Sequence, residues 1–206
     1  MRRYTFVYLL TFPLASIAQQ STFGVLGGAT ISSYVGSEYF GSADPVVRGI
    51  LGTYYGIPLT SLIDIEPGLY LSQRGINYEG SNDWGVNPGK HTLSYLSLPI
   101  VLRKRVINNL SIHAGMYVAG LVHGNYRYLY ANGMTNADQN WGMLEGNRNV
   151  IDGRFTWGGQ AGLRYVFPSH FVVNASYERD WHRWLHRAIN GGPSRQMVTV
   201  SVGYQW

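Results

Sequence analysis

From Phe23 onward, apolar and polar side chains alternate with a period of two, the pattern of β-strands whose two faces meet different surroundings. In the first such stretch Phe23, Val25, Ala29 and Ile31 share one face, and Gly24, Gly28, Thr30 and Ser32 the other. The second sets Val47, Leu51, Tyr55 and Ile57 against Arg48, Gly52, Tyr54 and Gly56. In the third, Ile63, Ile65, Leu69 and Leu71 oppose Asp64, Glu66, Gly68, Tyr70, Ser72 and Arg74. Leu96, Leu98, Ile100 and Leu102 line one side of the fourth, opposite Tyr95, Ser97 and Pro99. A fifth, over residues 110–125, carries small or apolar residues on both faces, so the pattern separates its sides only weakly. The sixth opposes Phe155, Trp157, Ala161, Leu163, Tyr165 and Phe167 to Arg154, Thr156, Gln160 and Arg164. The seventh opposes Val173, Ala175 and Tyr177 to Asn174, Ser176, Glu178 and Asp180. In the eighth, Val198, Val200, Val202, Tyr204 and Trp206 alternate with Met197, Thr199, Ser201, Gly203 and Gln205.

The connections between these strands alternate in length. Residues 34–44, 80–89, 126–152 and 179–195 form long ones, and 58–61, 103–108 and 168–170 short ones. With both termini on one side, the short connections all fall there and the long ones all fall opposite. That asymmetry and the even strand number predict an all-β fold, an eight-stranded antiparallel transmembrane β-barrel with up-and-down topology. The short turns and both termini are then periplasmic. Tyr55, Tyr165, Phe167, Phe171, Tyr204 and Trp206 all fall at that rim, as an aromatic girdle. A lipocalin or a sandwich predicts neither coincidence. The closing strand, ending in Tyr204-Gln205-Trp206, resembles the C-terminal strand that assembly machinery reads in outer-membrane barrels.

Three segments, in order, carry a more specific likeness. Residues 23–29 (FGVLGGA) look like the opening strand of the PorT-like outer-membrane β-barrel family. Residues 65–75 (IEPGLYLSQRG) resemble that family's "PELLYSQKG" strand, and residues 93–100 (LSYLSLPI) its "LNYLEIPLLLK" strand. Residues 113–117 (HAGMY) are similar to its "AGPY" segment. Ser97 stands where the family usually carries an acid, which removes any lumenal carboxylate role at that position. The resemblance implies an eight-stranded outer-membrane barrel. It implies no activity, although some relatives assist secretion machinery.

Composition narrows the partners. Charged residues make up only 13% of the chain and aromatics 14%, too apolar a balance for disorder, and no charge block resembles a nucleic-acid arm. The absence of cysteine excludes disulfides, thiolate catalysis and a lipoprotein anchor. Residues 1–18 read as a cleaved signal peptide: Arg2 and Arg3 precede an apolar run, and Ser16 and Ala18 supply small residues for cleavage. That run is shorter than the ~20 apolar residues a spanning helix needs. Residues 19–206 then form the barrel domain. The formal charge of +5 falls to +3 without Arg2 and Arg3, so a pI near 9.5 says little about partners.

Two groups of residues carry candidate chemistry. Facing inward, Arg48, Arg74, Arg154 and Arg164 balance Asp64, Glu66, Glu178 and Asp180. They form either a narrow charged pathway or a mutually paired plug, and the small bore of an eight-stranded barrel favours the plug. The second group is the basic, aromatic stretch 179–195, where Arg179, Trp181, Arg183, Trp184 and Arg187 suit anionic outer-leaflet lipid, lipopolysaccharide, or an acidic partner. The alternative is an ordinary solvated loop with an interfacial anchor. His182 and His186 have a metal-binding spacing but no supporting motif, and no G-x-S-x-G element is present, so neither metal, cofactor nor catalytic residue is expected. The expected function is non-enzymatic: envelope structure, surface binding, or a part in a secretion or assembly complex. The alternatives are a lipid-modifying barrel enzyme and a narrow solute channel. The expected partners are outer-membrane lipid, the assembly machinery during insertion and a secretion or surface complex, with no nucleic acid.

Overall fold

A computed structural model of the protein describes residues 21–35, 42–79, 89–128, 137–142, 155–181 and 194–206. The expected signal peptide at 1–18 lies outside them. The strands are β1 (Thr22–Val35), β2 (Ser42–Asp44), β3 (Val46–Pro58), β4 (Ile63–Glu79) and β5 (Gly89–Ile107), followed by β6 (Leu110–Tyr128), β7 (Ala137–Gly142), β8 (Phe155–Val166), β9 (Phe171–Asp180) and β10 (Ser194–Gln205). Eight of them close an antiparallel barrel in the order β1, β3, β4, β5, β6, β8, β9, β10. Along the seam, β10 returns to β1 over an unbroken register from Gly24↔Gln205 to Val35↔Ser194. Every spanning strand is thus paired on both sides, and closure leaves the barrel wall no open edge. The two remaining strands lengthen the long-loop end, β2 beside β4 and β7 beside β6.

The faces are inverted relative to a soluble protein. Leu51, Leu71, Leu98, Ile100, Leu163, Val200 and Val202 point outward and are exposed, while Thr30, Glu66, Arg74, Ser97, Arg164, Thr199 and Ser201 are buried inside. Such an outer surface is stable against lipid rather than water.

At the short-turn end the outward rings touch one another. Phe171 meets Tyr204 edge-on at 5.7 Å, Tyr204 meets Trp206 at 5.0 Å, and Tyr165 meets Phe167 at 4.8 Å. Tyr55 is at the same end, exposed and directly opposite Phe23 in the ladder. Phe23, absent from the sequence-derived girdle, stacks on Trp206 at 5.7 Å. In the turn at residues 168–170, His170 has a φ of 66° and accepts the Gln205 amide on its carbonyl at 3.0 Å, tying this turn to β10.

Several strands run further than their patterns predict. β5 continues through the expected connection at 103–108 to Ile107, leaving only Asn108 and Asn109 before β6. Arg179 and Asp180 belong to β9 and Arg195 to β10, so the loop expected over 179–195 is shorter. The expected loop 126–152 contains the end of β6 and all of β7, and the turn-rich 34–44 contains the end of β1 and all of β2. The weak alternation of β6 has a local cause as well. A register shift opposite Ser94 and Tyr95 leaves Val122 unpaired, so Val122 and His123 are both exposed.

Candidate functional site

Inward positions of neighbouring strands lie side by side, so the register decides which lumenal charges meet. Toward the short-turn end, Asp64 on β4 sits directly opposite Arg103 on β5. Arg103 Nη2 donates to Asp64 Oδ2 at 2.7 Å, and its Nε lies 3.4 Å from Glu66 Oε2. Across the bore, Arg164 Nη1 on β8 donates to the same Glu66 oxygen at 2.7 Å. Arg164 Nε reaches Asn174 Oδ1 at 3.4 Å, and its guanidinium lies 4.0 Å from the centroid of the Tyr54 ring. The Tyr54 hydroxyl donates to Gln205 Oε1 at 3.1 Å, so this cluster is tied to the closing strand.

A second cluster lies toward the long-loop end. Arg195 on β10 grips Asp180 Oδ2 through Nη2 at 2.6 Å and Nε at 2.8 Å. The Tyr117 hydroxyl donates to the other oxygen, Asp180 Oδ1. Arg74 on β4 approaches both acids of β9, its Nη1 3.7 Å from Asp180 Oδ1 and its Nη2 3.7 Å from Glu178 Oε2. Arg74 also donates to the hydroxyls of Ser72 at 3.2 Å and Ser97 at 3.1 Å. Ser97, where the resembled family carries an acid, therefore serves as a neutral acceptor for an arginine. Tyr95 lies between the guanidinium groups of Arg74 and Arg195, 4.9 Å and 4.8 Å from its ring centroid. Leu93, Tyr95, Tyr117, Ala119, Leu121 and Met197 pack around this cluster as an apolar collar.

Between the clusters the bore holds a cavity of about 40 Å³, lined in part by Glu66, His113, Gln160 and Glu178. By volume that is room for roughly two to four waters.

The eight inward charges expected from sequence are placed as follows. Asp64, Glu66, Arg74, Arg164 and Asp180 are buried in the two clusters, with Glu178 beside them. Arg154 lies outside the described residues. Arg48 corrects the expectation: it is half-buried and bonds the Val47 carbonyl at 3.0 Å and the Thr92 hydroxyl at 3.3 Å, apart from both acidic clusters. Alternation puts a side chain inside the barrel but does not set which partner it can reach. Two arginines that the sequence reading placed in connections, Arg103 and Arg195, complete the clusters instead. A signal for both was present. Arg103 continues the inward parity of Ser97, Pro99 and Val101, and Arg195 that of Met197, Thr199 and Ser201. Their charge made them read as loop. Among the described residues the clusters balance Arg74, Arg103, Arg164 and Arg195 against Asp64, Glu66, Glu178 and Asp180.

In the second candidate group, Arg179 and Trp181 are exposed at the long-loop end. Arg183, Trp184 and Arg187, like His182 and His186, lie outside the described residues.

The run Arg103-Lys104-Arg105 gives an internal test, because only Arg103 is buried in the lumen and its two neighbours are exposed at the rim. Arg103→Gln should cost ~3 kcal/mol of unfolding free energy, by stranding Asp64 and weakening the Glu66 pair. Lys104→Gln and Arg105→Gln should stay within about 0.5 kcal/mol of the wild type. Urea unfolding in lipid vesicles compares the three, and equal shifts would contradict the lumenal role.

A family model described as "Outer membrane protein beta-barrel domain" matches residues 4–205. Comparison with curated proteins gave no match. Among solved structures, Ail, the attachment invasion locus protein of Yersinia pestis, superimposes with a TM-score of 0.53 at 14% identity, over 91% of this chain and 99% of that one. Ail in complex with the heparin analogue sucrose octasulfate gives a TM-score of 0.50 at 14% identity, over 91% and 99% of the two chains. Neisserial surface protein A gives 0.53 at 8% identity, over 89% and 97%. At such identities the likeness concerns the fold alone.

Proposed function

The chain belongs to the outer membrane protein beta-barrel domain family, and on that premise we propose that it is a sealed, non-enzymatic barrel acting at the envelope surface rather than by passing solutes. The observation that carries this reading is the pair of buried ion clusters bridging the bore, one through Glu66 and Arg164 and the other through Asp180, Arg74 and Arg195. A solute passing through would have to break charge-assisted hydrogen bonds in a confined space, leaving partners unpaired. The inward charges also count against an acyl-chain pocket, which a lipid-modifying barrel enzyme needs. In this reading the short turns and both termini face the periplasm, and the long loops face outward. The segments at 65–75 and 93–100 support placing the chain among PorT-like barrels. Its partners are outer-membrane lipid, the assembly machinery that reads the closing strand, and a surface or secretion complex engaged by the outer loops.

Planar-bilayer recording tests the sealed bore. The purified barrel should insert without stable, porin-sized conductance. Stable conductance of that size would overturn the proposal.

A further inference from the structure

The outward face of β8, β9 and β10 is layered by the register. Phe171 and Tyr204 form the lowest paired row, followed by Tyr165, Val173 and Val202, then Leu163, Ala175 and Val200, then Ala161, Tyr177 and Val198. The next row upward is the first polar one, made of Gly159, Arg179, Gln196 and Ser33. Above it, Trp157 and Trp181 meet edge to face at 5.1 Å. From Phe171 to Trp181 the strand rises ten residues; at about 3.3 Å each and a tilt of about 40°, that spans roughly 25 Å, the height of the apolar band of a barrel. Arg179 therefore sits just inside the upper edge of the lipid-facing band.

The neutral polar groups of this row are satisfied by one another and by the row below. Tyr177 donates to Gln196 Oε1 at 3.0 Å, and Gln196 Nε2 donates to Ser33 Oγ at 3.1 Å. Among the described residues, no carboxylate is within ion-pair distance of Arg179. The cross-strand neighbour of Arg179 on β8 is Gly159, which has no side chain to cover it. The Trp181 ring lies over Gly159 instead, 2.8 Å from where a β-carbon there would sit. The result is a guanidinium with no carboxylate partner among the described residues, exposed on a lipid-facing wall one row below a pair of indoles.

We propose that Arg179, Trp157 and Trp181 form a binding site for the phosphate of an outer-leaflet lipid headgroup. A guanidinium fork matches phosphate oxygens bidentately, and the surrounding apolar rows receive the acyl chains. The apolar rows below commit the ligand to a lipid rather than a free anion. The inference rests on the orientation adopted above, with the long-loop end at the outer leaflet, but not on the sealed bore. A conducting barrel that still held lipid through Arg179 would defeat the sealed-bore reading alone.

The test is native mass spectrometry of the delipidated barrel in maltoside detergent, titrated with phosphatidic acid, phosphatidylcholine or inorganic phosphate. Wild type should retain phosphatidic acid in preference to phosphatidylcholine, and inorganic phosphate should compete only weakly. Arg179→Gln should lower retention roughly tenfold and Trp181→Ala about threefold, both in barrels whose heat-modifiable gel mobility reports a native fold. Lys104→Gln removes an exposed outward cation at the opposite rim and should leave retention unchanged. Undiminished retention by Arg179→Gln would overturn the site. So would an equal loss in Lys104→Gln, or displacement of the lipid by inorganic phosphate alone.

Discussion

Asp180→Ala is expected to destabilise the barrel by ~3–5 kcal/mol, because it leaves two buried arginines without their shared acid. Asp180 receives both Nε and Nη2 of Arg195, the Tyr117 hydroxyl and the charge of Arg74. Arg74 and Arg195 are 1% and 0% exposed, so neither guanidinium can turn to bulk water. Glu178 keeps a hold on Arg74 at 3.7 Å, which bounds the loss. The neighbouring Arg179→Ala, on the exposed face of the same strand, should stay within about 0.5 kcal/mol. Replacing Asp180 and Arg195 together by apolar residues should cost less than Asp180→Ala, because a jointly removed pair leaves less charge stranded. Urea unfolding in vesicles, followed by tryptophan fluorescence, orders the variants. Equal midpoints for Asp180→Ala and Arg179→Ala would refute the assignment.

Gly203→Val should block closure of the barrel. Gly203 pairs with Leu26 across the β1–β10 seam. A β-carbon there would fall on the carbonyl oxygen of Val25, with Leu26 Cδ2 only 2.8 Å away. A flexible side chain could yield, but the Val25 oxygen belongs to the ladder, so relief requires the seam to part. The expected cost exceeds the ~1–3 kcal/mol of ordinary overpacking, and the variant should accumulate as unfolded, heat-unmodifiable protein. Val202→Ala, one residue away on the exposed outward face, should assemble normally. A Gly203→Val barrel with native gel mobility would show that the seam tolerates the side chain.

These two sites differ in how far the sequence announced them. Asp180 stood among the expected inward charges because its parity follows Asn174, Ser176 and Glu178. Gly203 read only as one small residue of a small face; that its α-carbon lies against the backbone of β1 depends on a partner strand almost the whole chain away. Arg103 and Arg195 show the opposite difficulty. Their parity was readable, but charge beside a predicted strand end reads as loop, because lipid-facing wall positions disfavour it. The lumen does not exclude it when an acid waits opposite.

The sequence by itself determined the two faces of most strands, the alternation of short and long connections, and hence a barrel with an apolar outside. Alternation is a property of the extended backbone at each residue, so it survives without knowledge of neighbours. β6 is the exception that illustrates the rule: both its faces are apolar and a bulge at Val122 shifts its parity, leaving nothing local to read. Only the tertiary structure decided which charges meet. Asp64 finds Arg103 at a separation of 39 residues and Glu66 finds Arg164 at 98, through registers fixed by the whole closed sheet. It alone placed Arg48 outside the clusters, put Trp181 over Gly159, and left Arg179 facing lipid, because a side chain's partners follow from strand order and register, and those are set by closing the barrel.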